Sequence, residues 1–374
     1  MFDQYPVSAI IPRNLKPDHV YMFNFFYPLL RFILFRMDAE KSHDLSLKWL
    51  SRIEKSVFRG LITQKLVEDP VEVFGITFPN RVGLAAGLDK NGSCIDAFAA
   101  MGFGHIEIGT VTPRAQPGNP KPRLFRLPQA QALINRFGFN NLGVDNLIEN
   151  VKAAKFDGVL GINIGKNFDT PVDEANDDYL ICLEKVYPYA SYITVNISSP
   201  NTADLRKLQF GQALDDLISA IKNSQKLLEK TYNKYVPILI KIAPDLSEEE
   251  IVELVQTFKK NKVDGVIATN TTFSRKGVEG LKHSEETGGL SGQPVFEPSN
   301  RVLNFIVEQA DGEFPVVGVG GICSAADAQK KNQAGALLVQ IYSGFIYKGP
   351  SLISEIATAL KKINDTVNTG KVVN

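Results

Sequence analysis

The sequence predicts an α/β fold, a closed (β/α)8 TIM barrel with an N-terminal helical extension. Three observations predict it. Eight short β-branched runs recur between residues 81 and 341, and helix-length amphipathic stretches lie between most of them. The ends of the runs are rich in glycine and polar residues, where barrels of this kind carry their functional groups. Eight strand–helix units favour closure over an open sheet. The chain has 374 residues, 44% hydrophobic and 22% charged, which supplies one large core, and α/β barrels fill this length as one domain.

Taken in order, the first 65 residues form no strand–helix unit and read as two short helices. The second, over 38–54, places Leu45, Trp49 and Ile53 on one face. The apolar run 22–35 is expected neither to span a membrane nor to be cleaved. It has no basic leader or small-residue cleavage site, and Pro28 and Arg31 interrupt it short of the ~20 residues a span needs. Its Phe26, Leu29, Leu30, Ile33 and Leu34, with Arg31 and Arg36 interleaved, instead suit a helix lying at a membrane surface.

Residues 71–74 and 76–78, joined at Gly75, read as a hairpin closing the amino-terminal end of the barrel. Barrel strands are expected at 81–86, 105–109, 159–164, 192–197, 236–242, 263–269, 314–319 and 336–341. A long insertion over 111–159 carries a second hairpin, 123–127 with 132–137, on the catalytic face. The helix over 247–260 opens with Ser247-Glu248-Glu249-Glu250, a capping box. The expected division is a helical extension over 1–65, the barrel over 66–365 and a polar tail over 366–374.

Charge and cysteine usage exclude several classes. The 41 basic residues balance 41 acidic ones, so no basic field exists to hold nucleic acid, and no such partner is expected. Cys94, Cys182 and Cys323 lie far apart, as reduced thiols do. His19, His43, His105 and His283 show no metal-ligand spacing, so no metal is expected.

The strand ends carry the candidate chemistry. Gly320-Gly321 and Tyr342-Ser343-Gly344 end the seventh and eighth strands, where barrels commonly bind phosphate with backbone amides. Gly288-Gly289-Leu290-Ser291-Gly292 reads as a third amide-bearing turn. Lys241, inside the apolar run Ile238–Ile242, is compatible with a Schiff base, with the pyrimidine edge of a flavin, or with an internal ion pair. Ser199 has no neighbouring histidine or acid for a nucleophilic triad. Asn135, Asn196, Asn201 and Asn270 offer paired donors and acceptors without charge, which suits a flat imide-like ring bearing a carboxylate. Two rivals stay open on these residues: a lyase or aldolase using Lys241, with a borohydride-trappable lysine, and a ligand-binding barrel without turnover.

Four strings in order and in register carry a family resemblance: Ala85-Ala86-Gly87-Leu88-Asp89-Lys90, Ile134-Asn135-Arg136-Phe137-Gly138-Phe139-Asn140-Asn141, Val195–Thr202 and Gly318-Val319-Gly320-Gly321-Ile322. Together they resemble the dihydroorotate dehydrogenases of class 2, the membrane-linked, quinone-reducing branch, over nearly the whole chain. The resemblance implies oxidation of (S)-dihydroorotate to orotate in pyrimidine (UMP) synthesis, with one FMN per chain as hydride acceptor and a membrane quinone as final acceptor. It implies Ser199 as the base that takes the C5 proton and Thr202 as the first step of the proton's exit. It places substrate contacts at Lys90, Asn135, Arg136, Phe137, Gly138, Phe139, Asn196, Asn201, Asn270 and Thr271. It places flavin contacts at Ala86, Gly87, Leu88, Asp89, Lys90, Thr110, Asn163, Asn196, Lys241, Thr269, Gly292, Gly321, Tyr342 and Ser343. Arg126 and Tyr342 are the residues it brings to a quinone head group, and the N-terminal helices are the quinone entrance on the cytoplasmic face of the inner membrane. The class 1 enzymes, which use fumarate or NAD, usually carry cysteine where this chain has Ser199. One departure stands out: Ala203-Asp204 replaces the usual Pro-Gly after Thr202, which alters the turn chemistry of the expected active-site lid.

Overall fold

The computed structural model describes residues 20–202 and 205–370, so Ala203-Asp204 lies outside the described residues. Two helices come first, α1 (Val20–Leu34) and α2 (Ala39–Ile53), followed by the antiparallel hairpin β1 (Val71–Val73) and β2 (Ile76–Phe78). The first barrel strands are β3 (Val82–Leu84) and β4 (His105–Val111). The insertion then contributes β5 (Leu124–Leu127) and β6 (Ala132–Asn135). Next come β7 (Val159–Ile164), β8 (Tyr192–Asn196), β9 (Ile238–Ile242) and β10 (Gly265–Ala268). After β11 (Gly289–Gly292), β12 (Val316–Val319) and β13 (Leu338–Ile341) complete the set. Strands β3, β4, β7, β8, β9, β10, β12 and β13 pair in parallel and close, with Ile341 opposite Leu84 at the seam.

Closure explains the sequence pattern. Every residue of β9 is buried, because a barrel strand has side chains inside and helices outside. Alternation sorts them: Ile238, Ile240 and Ile242 pack into the outer helix layer, while Leu239 joins Tyr192, Ile267, Val317 and Leu338 inside. Lys241, two residues beyond Leu239, therefore faces the interior near the carboxyl-terminal mouth. The opposite end is plugged by the β1–β2 hairpin, whose Phe78 meets the His105 ring edge-on at 5.2 Å. Complete burial pushes the His105 imidazole down to about 3.

Several boundaries differ from expectation. The first barrel strand is only Val82–Leu84, because the chain leaves the sheet toward the mouth after Ala85, whose amide still reaches the Ile341 carbonyl. The segment 288–292, expected as a turn, contains β11, which pairs antiparallel with β6 to make a three-stranded sheet over the mouth. Leu290 from that strand packs with Phe125, Leu127 and Ile134. The last helix, Ser351–Gly370, takes in the first residues of the expected polar tail. On α2 the expected apolar face divides: Ile53 is buried, while Leu45 and Trp49 are 48% and 41% exposed.

The N-terminal helices are docked on the barrel. Tyr27 donates to the Ile346 carbonyl at 2.7 Å, Arg31 donates to the Tyr347 carbonyl, and Phe35 meets the Tyr347 ring edge-on. Glu40 of α2 accepts from the Arg123 guanidinium at 2.8 Å, both side chains being buried. Burial pushes the Glu40 carboxyl up, but hydrogen bonds from Arg123 and Lys121 outweigh it and hold the carboxyl below its usual range. Arg123 also donates to the Pro117 and Asn119 carbonyls, so its fork ties α2 to the insertion. Arg123→Ala leaves the buried Glu40 carboxylate with the largely exposed Lys121 as its remaining ion-pair partner and is expected to cost about 3 kcal/mol in chemical denaturation. A loss under about 1 kcal/mol would place this pair among the weak ones. No helix among the described residues is long and apolar enough to cross a membrane.

Candidate active site

A cavity of about 1030 Å³, its open mouth included, occupies the carboxyl-terminal end of the barrel. One wall is backbone: Gly320 and Gly321 after β12, and Tyr342, Ser343 and Gly344 after β13. At Gly321 φ is +76°, and a Cβ there would sit 2.4 Å from the Phe296 Cα, so only glycine lets the chain pass. Gly292, at the end of β11, lines the same wall, and Ser291 shares a 2.9 Å hydrogen bond with Ser343.

The floor is polar and ordered. Asn196 donates to the Thr110 hydroxyl at 2.9 Å, and that hydroxyl donates to Asn163 at 2.6 Å. Lys241 lines the floor and is 5% exposed, and among the described residues its ammonium has no hydrogen-bond or ion-pair partner. Burial depresses its pKa, and the nearby Glu107 charge partly offsets that. A buried ammonium aimed into a cavity without a partner points to an electron-rich or anionic ligand.

The remaining wall gathers the amides. Asn201 donates to Asn135 at 3.1 Å, and Asn270 donates to the Ser198 hydroxyl at 3.0 Å and to Asn196 at 3.3 Å. Among the described residues, the buried Asn201 Oδ1 and the Thr271 and Thr202 hydroxyls have no hydrogen-bond partner. Ser199 is 6% exposed and accepts from the Asn201 amide at 3.2 Å. Lys90 sits 4.0 Å above the Phe137 ring, and burial, with repulsion from Arg123, lowers its pKa to about 8. If its ammonium captures a substrate carboxylate, kcat/KM should be highest below pH 8 and fall as Lys90 loses its proton above it. A pH profile of kcat/KM for the free acid substrate checks this; a flat profile from pH 7 to 9.5 would assign the carboxylate to other donors.

The structure brings most of the expected set together. Ala86, Gly87, Lys90, Thr110, Asn135, Phe137, Gly138, Phe139, Asn196, Ser199, Asn201, Lys241, Thr269, Asn270, Thr271, Gly292, Gly321, Tyr342 and Ser343 all line this one cavity. Others are placed elsewhere. Asp89 spends its carboxylate on the Ser93 and Cys94 amides, at 2.8 and 2.7 Å. Arg136 turns outward to Glu286 at 2.8 Å, over the Phe125 ring. Asn163 lies beneath the floor, fully buried, and Thr202 is buried without lining the cavity. Gln340, which the sequence did not single out, also lines the cavity, as does Ser291 of the expected amide-bearing turn. Gln340 was signalled by being the one polar residue in the buried strand Leu338–Ile341.

A second cavity, of about 1270 Å³, lies between α1, α2 and the barrel. Tyr27, Leu30, Leu34, Leu45, Trp49, Leu88, Met101 and Phe345 give it a largely apolar lining, with Arg31, His43 and Arg126 as its main polar groups. Leu88 thus serves this cavity and not the first. Arg126 donates to the Met37 carbonyl at 2.8 Å and stacks over Phe35, while burial and the Lys90 charge push His43 down to about 3. Tyr342 lines both cavities, so the two share a wall one side chain thick.

The dihydroorotate dehydrogenase family pattern matches residues 70–363. The chain is 58% identical to a dihydroorotate dehydrogenase (quinone) of Cronobacter sakazakii over 335 residues, covering 90% of this chain and all of that protein. Its identity to the protein of the same description from Escherichia fergusonii is 59%, covering 89% of this chain and 99% of the other. Among solved structures, the Eimeria tenella DHODH in complex with ferulenol superposes with a TM-score of 0.81 at 35% identity, covering 88% of this chain and 92% of that one. The ligand-free Eimeria tenella DHODH gives 0.80 at 34%, covering 88% and 96%. With the barrel, the family pattern and full-length relatives in agreement, the chain belongs to the dihydroorotate dehydrogenases, an oxidoreductase family, and within it to class 2, the branch of these quinone-type relatives.

Proposed function

We propose that this chain oxidises (S)-dihydroorotate to orotate in pyrimidine synthesis, with FMN in the barrel mouth and a membrane quinone as final acceptor. The observation that carries it is the single wall between a polar cavity bearing an unpartnered ammonium and an apolar cavity opening under the N-terminal helices. FMN fits the first cavity by chemistry. The glycine backbone at Gly320–Gly321 and Ser343–Gly344 suits a phosphate, and Lys241 suits the electron-rich pyrimidine edge of an isoalloxazine. When bound, FMN supplies a two-electron acceptor that the protein side chains lack.

The residues of the chain do the rest. Lys90 and the four asparagines bind and orient a flat, carboxylate-bearing imide against the floor, which fixes the reacting atoms. Ser199 takes the proton from C5, and its own hydroxyl proton leaves toward Thr202, whose buried hydroxyl has no hydrogen-bond partner among the described residues. The second hydrogen leaves C6 with its electron pair, which completes the double bond of orotate. The quinone head group is assigned to Arg126 and Tyr342 in the second cavity, with attachment peripheral, at the cytoplasmic face of the inner membrane. Residues 1–65 then form the quinone entrance, 66–365 the catalytic barrel and 366–374 a polar tail.

Lys241→Ala tests the floor. It is expected either to lose FMN on purification or to slow flavin reduction by about 10²–10³-fold, as removal of a preorganised electrostatic stabiliser does. Normal FMN content together with a normal reduction rate would return Lys241 to a structural role.

A further inference from the structure

Glu107 is fully buried inside the barrel, on β4 one layer below the floor. Its carboxylate accepts from Asn163 at 2.8 Å, from Gln340 at 2.8 Å and from the Tyr192 hydroxyl at 3.1 Å. All three contacts are donors, the complement of a carboxylate. Among the described residues no lysine, arginine or histidine forms an ion pair with it. Burying an anion this way is costly, and a glutamine of the same shape would fill the space. The charge therefore calls for a reason beyond packing.

Its surroundings supply one. Each cavity-side partner of Glu107 continues to the floor: Gln340 lines the cavity, and Asn163 accepts from Thr110, which lines it too. The cation lining the floor above it is Lys241, beside Asn196 in the register of β8 and β9, and the Glu107 charge already acts on it. A positive group thus lines the floor and a negative group lies one layer beneath it, both held in fixed positions in a water-poor interior where charges act strongly. Lys241 alone would stabilise any negative charge arriving above the floor. Glu107 opposes it.

From this arrangement we infer that Glu107 is a positioning residue that holds the flavin reduction potential down by countering Lys241. The inference rests on the FMN reading of the mouth. A lower potential makes reduction by substrate less favourable and transfer onward to the quinone more favourable, so Glu107 divides the driving force between the two half-reactions. A purely structural Glu107 would affect folding stability and leave the potential unchanged.

The test is a redox titration of full-length, FMN-loaded protein against reference dyes. Glu107→Gln is expected to favour the reduced flavin by about tenfold, which is about 30 mV more positive for a two-electron couple. It should also slow reoxidation by quinone while sparing reduction by dihydroorotate. Glu107→Asp, which keeps the charge, should stay close to wild type. Tyr192→Phe removes one donor from the carboxylate at a residue that does not line the cavity, so its potential should shift from the wild-type value, and this variant decides the matter if Glu107→Gln does not fold. A folded, flavin-loaded Glu107→Gln or Tyr192→Phe with the wild-type potential would overturn the inference alone. A wild-type protein that binds no FMN would overturn the flavin reading and this inference with it.

Discussion

Replacing Ser199 by alanine is expected to leave FMN content at the wild-type level and to slow flavin reduction by dihydroorotate about 10²–10⁴-fold, the usual cost of losing a positioned base. The residue follows β8 directly, so its position is set by a buried barrel strand. Its hydroxyl accepts from the Asn201 amide, and Asn196, Asn201 and Asn270 share its cavity. Among the described residues no histidine or carboxylate is a hydrogen-bond partner of Ser199, so its basicity depends on where its own proton can go. Thr202, buried and with its hydroxyl unpartnered among the described residues, is the acceptor proposed for it. Anaerobic stopped-flow absorbance separates the half-reactions: reduction by dihydroorotate should collapse while reoxidation by quinone proceeds normally. Near-normal reduction in Ser199→Ala would remove Ser199 from the mechanism.

Deleting residues 1–37 is expected to have the mirror-image effect. Reduction by dihydroorotate should persist, because the residues lining the first cavity begin at Ala85. Reoxidation by a long-tailed quinone should fall on the order of tenfold or more, since an oxidant no longer held in place reacts as a free one. The deletion removes α1, which supplies Tyr27, Leu30, Arg31 and Leu34 to the wall of the second cavity. It also removes Phe26, Leu29, Phe32 and Ile33, each at least half exposed on the outer face of α1. That apolar surface, with Arg36 stacked 3.7 Å over Phe32, suits the headgroup boundary of a bilayer. The truncated protein should therefore also sediment less with membranes. Full quinone activity with unchanged sedimentation would place the entrance elsewhere.

The barrel was legible in the sequence because its strands are buried on both faces. Runs such as Ile238–Ile242 must be apolar and β-branched, and the one lysine among them marks the functional floor. The amide wall was legible from motif strings, but a string carries its neighbours along. Asp89 and Arg136 stand beside true lining residues, yet their side chains leave in other directions, to the Ser93–Cys94 amides and to Glu286. Strand β11 was hidden because Gly289-Leu290-Ser291-Gly292 has little strand propensity and gains its order from pairing with β6, more than 150 residues away. On α2, periodicity located an apolar stripe over Leu45, Trp49 and Ile53. It could not say that only one end would meet the barrel while the rest faced a cavity. Glu107 escaped notice for the opposite reason: a single acid in His105–Val111 carries no spacing signal, and its role depends on partners from three other strands.

The account stands most directly on an anaerobic titration of the purified full-length protein with (S)-dihydroorotate, followed by addition of a quinone. It predicts a yellow protein whose flavin absorbance bleaches with about one equivalent of substrate per bound flavin and returns when quinone is added. A colourless protein, or a yellow one whose flavin is untouched by dihydroorotate, would contradict it.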